Sequence, residues 1–185
     1  DAEDDGLAPL EVEKVVDTSV SIAFSALKHK AKLVREHESR LVVLGDPTRL
    51  SQVLVNLLLN AAQALPEGRS QNEIRLSTFE EDGEVLIEVA DNGPGIPGAI
   101  LPRIFEPFFT TKPVGVGTGL GLSICKNLIE RMGGVMEVET SEKGTLFRLR
   151  LHVADAEPVP VAQSTDTQAV HFSGKHRILV VDDEE

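Results

Sequence analysis

The chain has 185 residues, enough for one domain with appendages, and 41% of them are hydrophobic, enough for a core. Its formal net charge is −12 with the acids dispersed, which excludes nucleic-acid binding by a basic face. An anionic ligand must then be held locally, by backbone N–H groups, a cation and a few Lys or Arg. No apolar stretch approaches the roughly 20 residues of a membrane span, so no membrane contact is expected. A single cysteine, Cys125, excludes an internal disulfide and points to a reducing, cytoplasmic setting.

The acidic residues 1–9 read as a connector from a cut inside a longer protein, not as a signal peptide. Over residues 10–30, Val12, Val15, Val16, Val20 and Ala23 recur at helical spacing. Short apolar runs at 33–34 and 41–44 predict strands. Asp46-Pro47 is a helix start, Asp capping free N–H groups and Pro suiting the first turn, and this helix should run to about Leu65 before Pro66. Residues 74–79 and 84–90 predict two strands across an acidic turn. Residues 92–118 are rich in glycine and proline and predict a long ordered loop, of the kind that is usually functional. A helix over 119–132 follows, striped by Ile124, Cys125, Leu128, Ile129 and Met132 and stopped by Gly133-Gly134. Residues 135–139 and 145–153 pair as strands. Residues 154–175 have linker composition, and 177–181 show one more strand pattern. Three helices and a largely hairpin-connected sheet predict an α+β, two-layer sandwich.

Chemistry concentrates in four stretches. On the helix from Pro47, Gln52, Asn56, Asn60 and Gln63 fall on one narrow face of an otherwise apolar helix. Burying a stripe of amides is costly without partners. The alternative is a plain exposed polar face, which would more often carry Lys and Glu. Amide oxygens are suitable hard ligands for Mg2+. Asp91 ends an apolar strand, where its carboxylate can accept from an exocyclic amine, and Gly93 and Gly95 then allow close approach to the backbone. Alternatively Asp91-Asn92-Gly93 is a simple turn. Residues 93–98 match G-x-G-x-x-G, but Pro97 and Pro102 leave no room for the long helix that a dinucleotide fingerprint needs. The glycine loop at 115–121 leads into a helix, whose N-terminal N–H groups suit phosphate. It is not a Walker A loop. Between the two loops, Phe105, Phe108 and Phe109 should anchor the segment, while Arg103 and Lys112 can meet phosphate.

Together these stretches resemble the catalytic ATP-binding domain of sensor histidine kinases, in the GHKL ATPase superfamily, over residues 10–153. Residues 56–61 resemble the N box, 91–97 the G1 box, 105–112 the F box and 117–122 the G2 box, with Gly144-Thr145 at the last glycine position. The resemblance implies a mixed sheet with three main helices and an ATP lid at 93–118. It implies ATP or ADP as ligand with Mg2+. Asp91 would bind adenine N6 and Asn60 the metal, with Asn56 and Lys112 catalytic. Gly93, Gly95, Ile96, Arg103, Thr111, Gly117, Thr118, Gly119, Leu120, Gly121, Leu122 and Thr145 would complete the nucleotide site.

The tail, residues 177–185, is similar to the first strand and acidic pocket of a receiver domain. This implies a hybrid kinase whose receiver begins at about residue 176. The implied partners are a histidine-bearing dimerisation hairpin of the same protein and a receiver domain or response regulator. His37-Glu38-Ser39-Arg40-Leu41 imitates the start of a phosphoacceptor motif, but the motif's proline is absent and an apolar strand run follows, so it is expected to be a decoy. Two alternatives stay open, a GHKL clamp ATPase and a non-catalytic nucleotide sensor. In clamp ATPases a water-activating Glu stands one turn before the metal-binding Asn. Here that position is Asn56, which cannot act as a base.

Overall fold

The computed structural model describes residues 6–38, 40–112 and 117–154. Residues 1–5 of the connector expected at 1–9, residues 155–175 of the linker expected at 154–175, and the receiver-like strand lie outside these residues.

Five strands form a mixed sheet in the order β2-β4-β5-β7-β6. They are β2 (Lys32–His37), β4 (Glu73–Glu81), β5 (Glu84–Asp91), β6 (Val135–Ser141) and β7 (Gly144–His152). The β2–β4 pair is parallel and the other pairs are antiparallel. Period-two patterning sends Ile74, Leu76, Val85, Ile87, Val89, Phe147, Leu149 and Leu151 to the core. The opposite face carries a charge ladder, in which Arg148 pairs with Glu88 and Glu139, and Arg150 with Glu137 and Glu84.

Three helices cover the apolar face: α1 (Val12–Leu27), α2 (Pro47–Ala64) and α3 (Gly121–Arg131). Helix α2 packs against α1, α3 and the sheet. Its Leu50, Val53, Leu54, Leu57 and Leu58 are all fully buried. Truncating one of these leucines to Ala should cost about 2–5 kcal/mol. The helix begins as its sequence predicts. The Asp46 carboxylate accepts from the Thr48 and Arg49 N–H groups at 2.7 and 3.0 Å, with Pro47 in the first turn.

Two strands depart from expectation. Residues Ala8–Glu11 form β1, pairing antiparallel with β3 (Val42–Gly45), where a connector and then a helix were expected. Leu10 is buried there, and Val12 N–H donates to Leu41 O, so tertiary pairing wins over helical periodicity for these residues. Strand β2 runs well beyond the Leu33-Val34 pair, because its parallel register with β4 extends to His37–Thr78. The loop after β5 contains a short 3-10 turn, Leu101–Arg103.

Candidate functional site

A cleft of about 510 Å³ opens between α2, the end of β5, the start of β7 and the N-terminus of α3. At one end Asp91 is half-buried, and its Oδ1 accepts from Gly93 N–H at 2.8 Å. Burial raises the Asp91 pKa above the ordinary aspartate value, against the opposing pull of the Gly93 and Thr145 backbone N–H groups. The loop opening is clipped in place by Asn92, whose side chain accepts from Glu73 N–H at 2.9 Å and donates to Gln71 O at 2.6 Å.

The first glycine loop lies on the β6–β7 hairpin. Gly95 has φ +75°, and a Cβ there would stand 1.9 Å from Ser141 O. Gly144 is as tight, since its Cβ would meet Asp91 O at 1.9 Å. The Thr140 hydroxyl accepts from Ile96 N–H at 2.8 Å and lies 3.3 Å from the Thr145 hydroxyl.

Helix α2 supplies the amides. Asn56, Asn60 and Gln63 all line the cleft. Lys112 reaches across from the lid segment, its Nζ donating to Asn60 Oδ1 at 3.2 Å and to Gln63 Oε1. Burial lowers the Lys112 pKa from the ordinary lysine value. Asn56 Nδ2 donates to Cys125 Sγ at 3.1 Å. Gly121 opens α3 directly against that amide, where a Cβ would lie 2.8 Å from Asn56 Oδ1.

Most of the residues expected in the site share this cleft. Asn56, Asn60, Asp91, Gly95, Ile96, Thr111, Lys112, Gly117, Thr118, Gly119, Gly121, Leu122 and Thr145 all line it. Gly93 stands behind Asp91 as its N–H donor. Leu120 faces a neighbouring hollow instead. Arg103 does not join the wall. Its Nε donates to Glu106 at 3.0 Å, and its guanidinium lies 4.3 Å from the Phe109 ring centre. The expected phenylalanine anchor also needs correction. Phe105 packs on the core and Phe109 lines the cleft, but Phe108 is 75% exposed with φ +66°. Pattern reading missed Ile100, Ile104 and Phe147 as cleft walls. Phe147 was within reach, because it shares the inward face of β7 with Thr145.

A second hollow, about 950 Å³, lies beyond Asn56 between α1, α2 and α3. It is larger, but among the described residues Lys14 is its one charged lining residue, and no carboxylate there matches Asp91. The smaller cleft therefore has the convergent polar chemistry that a nucleotide needs.

Residues 45–155 match the family model described as the histidine kinase-, DNA gyrase B-, and HSP90-like ATPase. The chain belongs to this family. It is 38% identical over 162 residues to the sensor kinase CckA of Brucella abortus, a match covering 77% of this chain and 17% of that protein. It is 46% identical over 119 residues to the two-component sensor PprA of Pseudomonas aeruginosa, covering 62% of this chain and 13% of PprA. The chain therefore spans less than a fifth of the length of these two relatives. Among solved structures, a nucleotide-free form of the catalytic domain of histidine kinase ThkA superposes with a TM-score of 0.70 at 31% identity, covering 80% of this chain and 95% of that one. The mycobacterial sensor histidine kinase MprB gives 0.70 at 26% identity, over 83% of this chain and 99% of that one. The five-stranded mixed sheet under three helices is the fold of this family's histidine kinase domains, and the chain holds a catalytic ATP-binding domain of the sensor-kinase type. Among the described residues no helix is long and apolar enough to cross a membrane.

Proposed function

We propose that this domain binds ATP with Mg2+ and transfers the γ-phosphoryl group to a histidine on a separate helical hairpin, from which a receiver aspartate takes it. The observation that carries this reading is the composition of the cleft. Asp91, an amide row on α2 and Lys112 converge on one space, and among the described residues Asp91 is the only carboxylate lining it.

Each side chain then has a role it can physically perform. Asp91 accepts from the adenine amine, a contact that guanine, with an oxygen at that position, cannot reproduce. The Asn60 and Gln63 oxygens already hold a cationic group, so the residues fit a metal bound among phosphates. When bound, the metal neutralises phosphate charge. Lys112 and the N–H groups at the start of α3 add positive potential beside it. Asn56 cannot take a proton from water, and Asp91 is held at the far end by the Gly93 N–H. Among the described residues the cleft lining thus offers no base suited to activate water, which favours transfer over hydrolysis.

The test is calorimetric titration of wild type and Asp91→Ala with ATP and GTP. Wild type is expected to prefer ATP. Asp91→Ala should lose about 1.5–3 kcal/mol of ATP binding, the value of a charge-assisted hydrogen bond. Equal ATP affinities in the two proteins would remove the adenine assignment.

A further inference from the structure

Lys112 makes an unusual pair of contacts. Its ammonium lies against Asn60 Oδ1 at 3.2 Å and against Gln63 Oε1, and both oxygens belong to neutral amides. An ammonium has donors and no acceptor, so both amides must turn oxygen, not NH2, toward it. Asn60 and Gln63 stand three residues apart on α2, on one face, so the helix itself fixes their spacing. The geometry is that of a two-oxygen cradle for a positive charge, with a positive charge in it.

We propose that Asn60 and Gln63 together form a cation seat, that Lys112 holds this seat in the present arrangement, and that a divalent cation arriving with nucleotide displaces it. The proposal rests on the Mg2+–nucleotide reading and assigns two things beyond it. Gln63 becomes a metal-site residue, and Lys112 becomes the metal's competitor before it becomes a phosphate partner. Hard amide oxygens suit Mg2+, which keeps several waters and takes only one or two protein ligands beside phosphate. Two cations cannot share so small a cradle, so filling it with metal expels the ammonium. Lys112 and Gly117 both line the cleft, so the released ammonium stays on the lid segment within it. Metal entry would in this way hand a cation to the phosphates.

The experiment measures ADP binding by calorimetry in EDTA and across a Mg2+ series, for wild type, Gln63→Leu and Lys112→Met, each checked for folding by its melting curve. Gln63→Leu should lower the ratio of Mg2+-supported to metal-free ADP affinity at least three-fold. Lys112→Met should shift the Mg2+ concentration for half-maximal effect downward, because the competitor is gone. An unchanged ratio in Gln63→Leu would overturn the metal role of Gln63. An unchanged or higher half-maximal Mg2+ in Lys112→Met would overturn the competition, and that arm stands even if Gln63→Leu does not fold. Wild type that binds no ADP, or binds it without regard to Mg2+, would instead sink the underlying nucleotide reading.

Discussion

Asn56 on helix α2 and Cys125 on helix α3 are joined by a hydrogen bond of 3.1 Å from the amide nitrogen to the thiol sulfur. The contact ties the middle of the amide row to the helix that the second glycine loop opens. It also orients the amide, because the sulfur takes the nitrogen end while the oxygen lies against Gly121 at the start of α3. Burial pushes the Cys125 thiol up to about 11, so it remains a thiol at neutral pH and reacts slowly with alkylating reagents.

Cys125→Val should therefore destabilise the domain by about 1–3 kcal/mol, the cost of leaving a part-buried amide unpaired. Cys125→Ser should recover part of that loss. The sign of the pH effect follows from linkage. The folded thiol binds its proton up to about 11, whereas an unperturbed thiol releases it near 9.0. The native state holds more protons in that window, so the cysteine's contribution to stability declines as pH rises through it. Urea unfolding at neutral pH and at pH about 10 should show the gap between wild type and Cys125→Val narrowing. A gap that widens would mean that the thiol is not held protonated by the fold.

Asp91 supplies a second pH test. Burial is the main cause of its raised pKa, so the folded carboxyl holds its proton to higher pH than an unfolded one. Its contribution to stability is present at low pH and is lost as pH rises through the raised value. Without nucleotide, Asp91→Asn should then be at least as stable as wild type at neutral pH. With nucleotide the order reverses, because only the ionised carboxylate is purely an acceptor. ADP affinity of wild type should fall on acidification, while Asp91→Asn binds weakly at every pH. Melting curves with and without ADP from acid to neutral pH provide the check. A large loss of stability in nucleotide-free Asp91→Asn would make the carboxylate a structural group.

Much of this arrangement is legible in the chain, and the residues show why. Asp46-Pro47 announces α2 because capping is local chemistry, and the structure keeps the cap. The amides of that helix are visible because they interrupt an apolar stripe at helical spacing. Strand β1 was hidden because Ala8-Pro9-Leu10-Glu11 has no local strand signature and forms only by pairing with β3. Arg103 was assigned to phosphate by charge and proximity in sequence. The structure gives it to Glu106 and Phe109, which no one-dimensional spacing could rank against a ligand. The contact of Lys112 with Asn60 and Gln63 joins residues about fifty positions apart, and only the folded lid brings them together.

Asn60 carries a metal prediction that is separate from adenine recognition. Asn60→Ala should weaken ATP binding about ten-fold or more in Mg2+, the loss of one hard ligand, and change it little in EDTA. Equal losses in both buffers would mean that the amide contacts phosphate directly or only packs.

The lid should respond to nucleotide. Among the described residues no side chain caps the first turn of α3. Orphan donors of this kind exchange readily until a ligand accepts from them. Hydrogen exchange across residues 117–122 should slow on adding ADP and Mg2+, and slow less in Asn60→Ala. Unchanged exchange there would reduce the second glycine loop to a lead-in for the helix.

Phosphoryl transfer separates the kinase reading from the clamp ATPase and the passive sensor. His37 closes strand β2 and faces Glu13, with 3.3 Å between imidazole and carboxylate, so it is held at a sheet edge and not presented on a helix. The chain as it stands should take up no label from γ-labelled ATP. It should release phosphate slowly, because Asn56 occupies the position where a base would activate water and is engaged with Cys125. Supplying in trans a helical hairpin that bears a phosphoacceptor histidine should produce labelled hairpin. Asp91→Ala and Asn60→Ala should each reduce that transfer at least ten-fold, about 1.4 kcal/mol of lost stabilisation. Label on the lone chain that disappears in His37→Ala would make His37 a genuine acceptor. Rapid phosphate release without any acceptor would favour the clamp ATPase, and nucleotide binding with neither transfer nor release would leave a sensor.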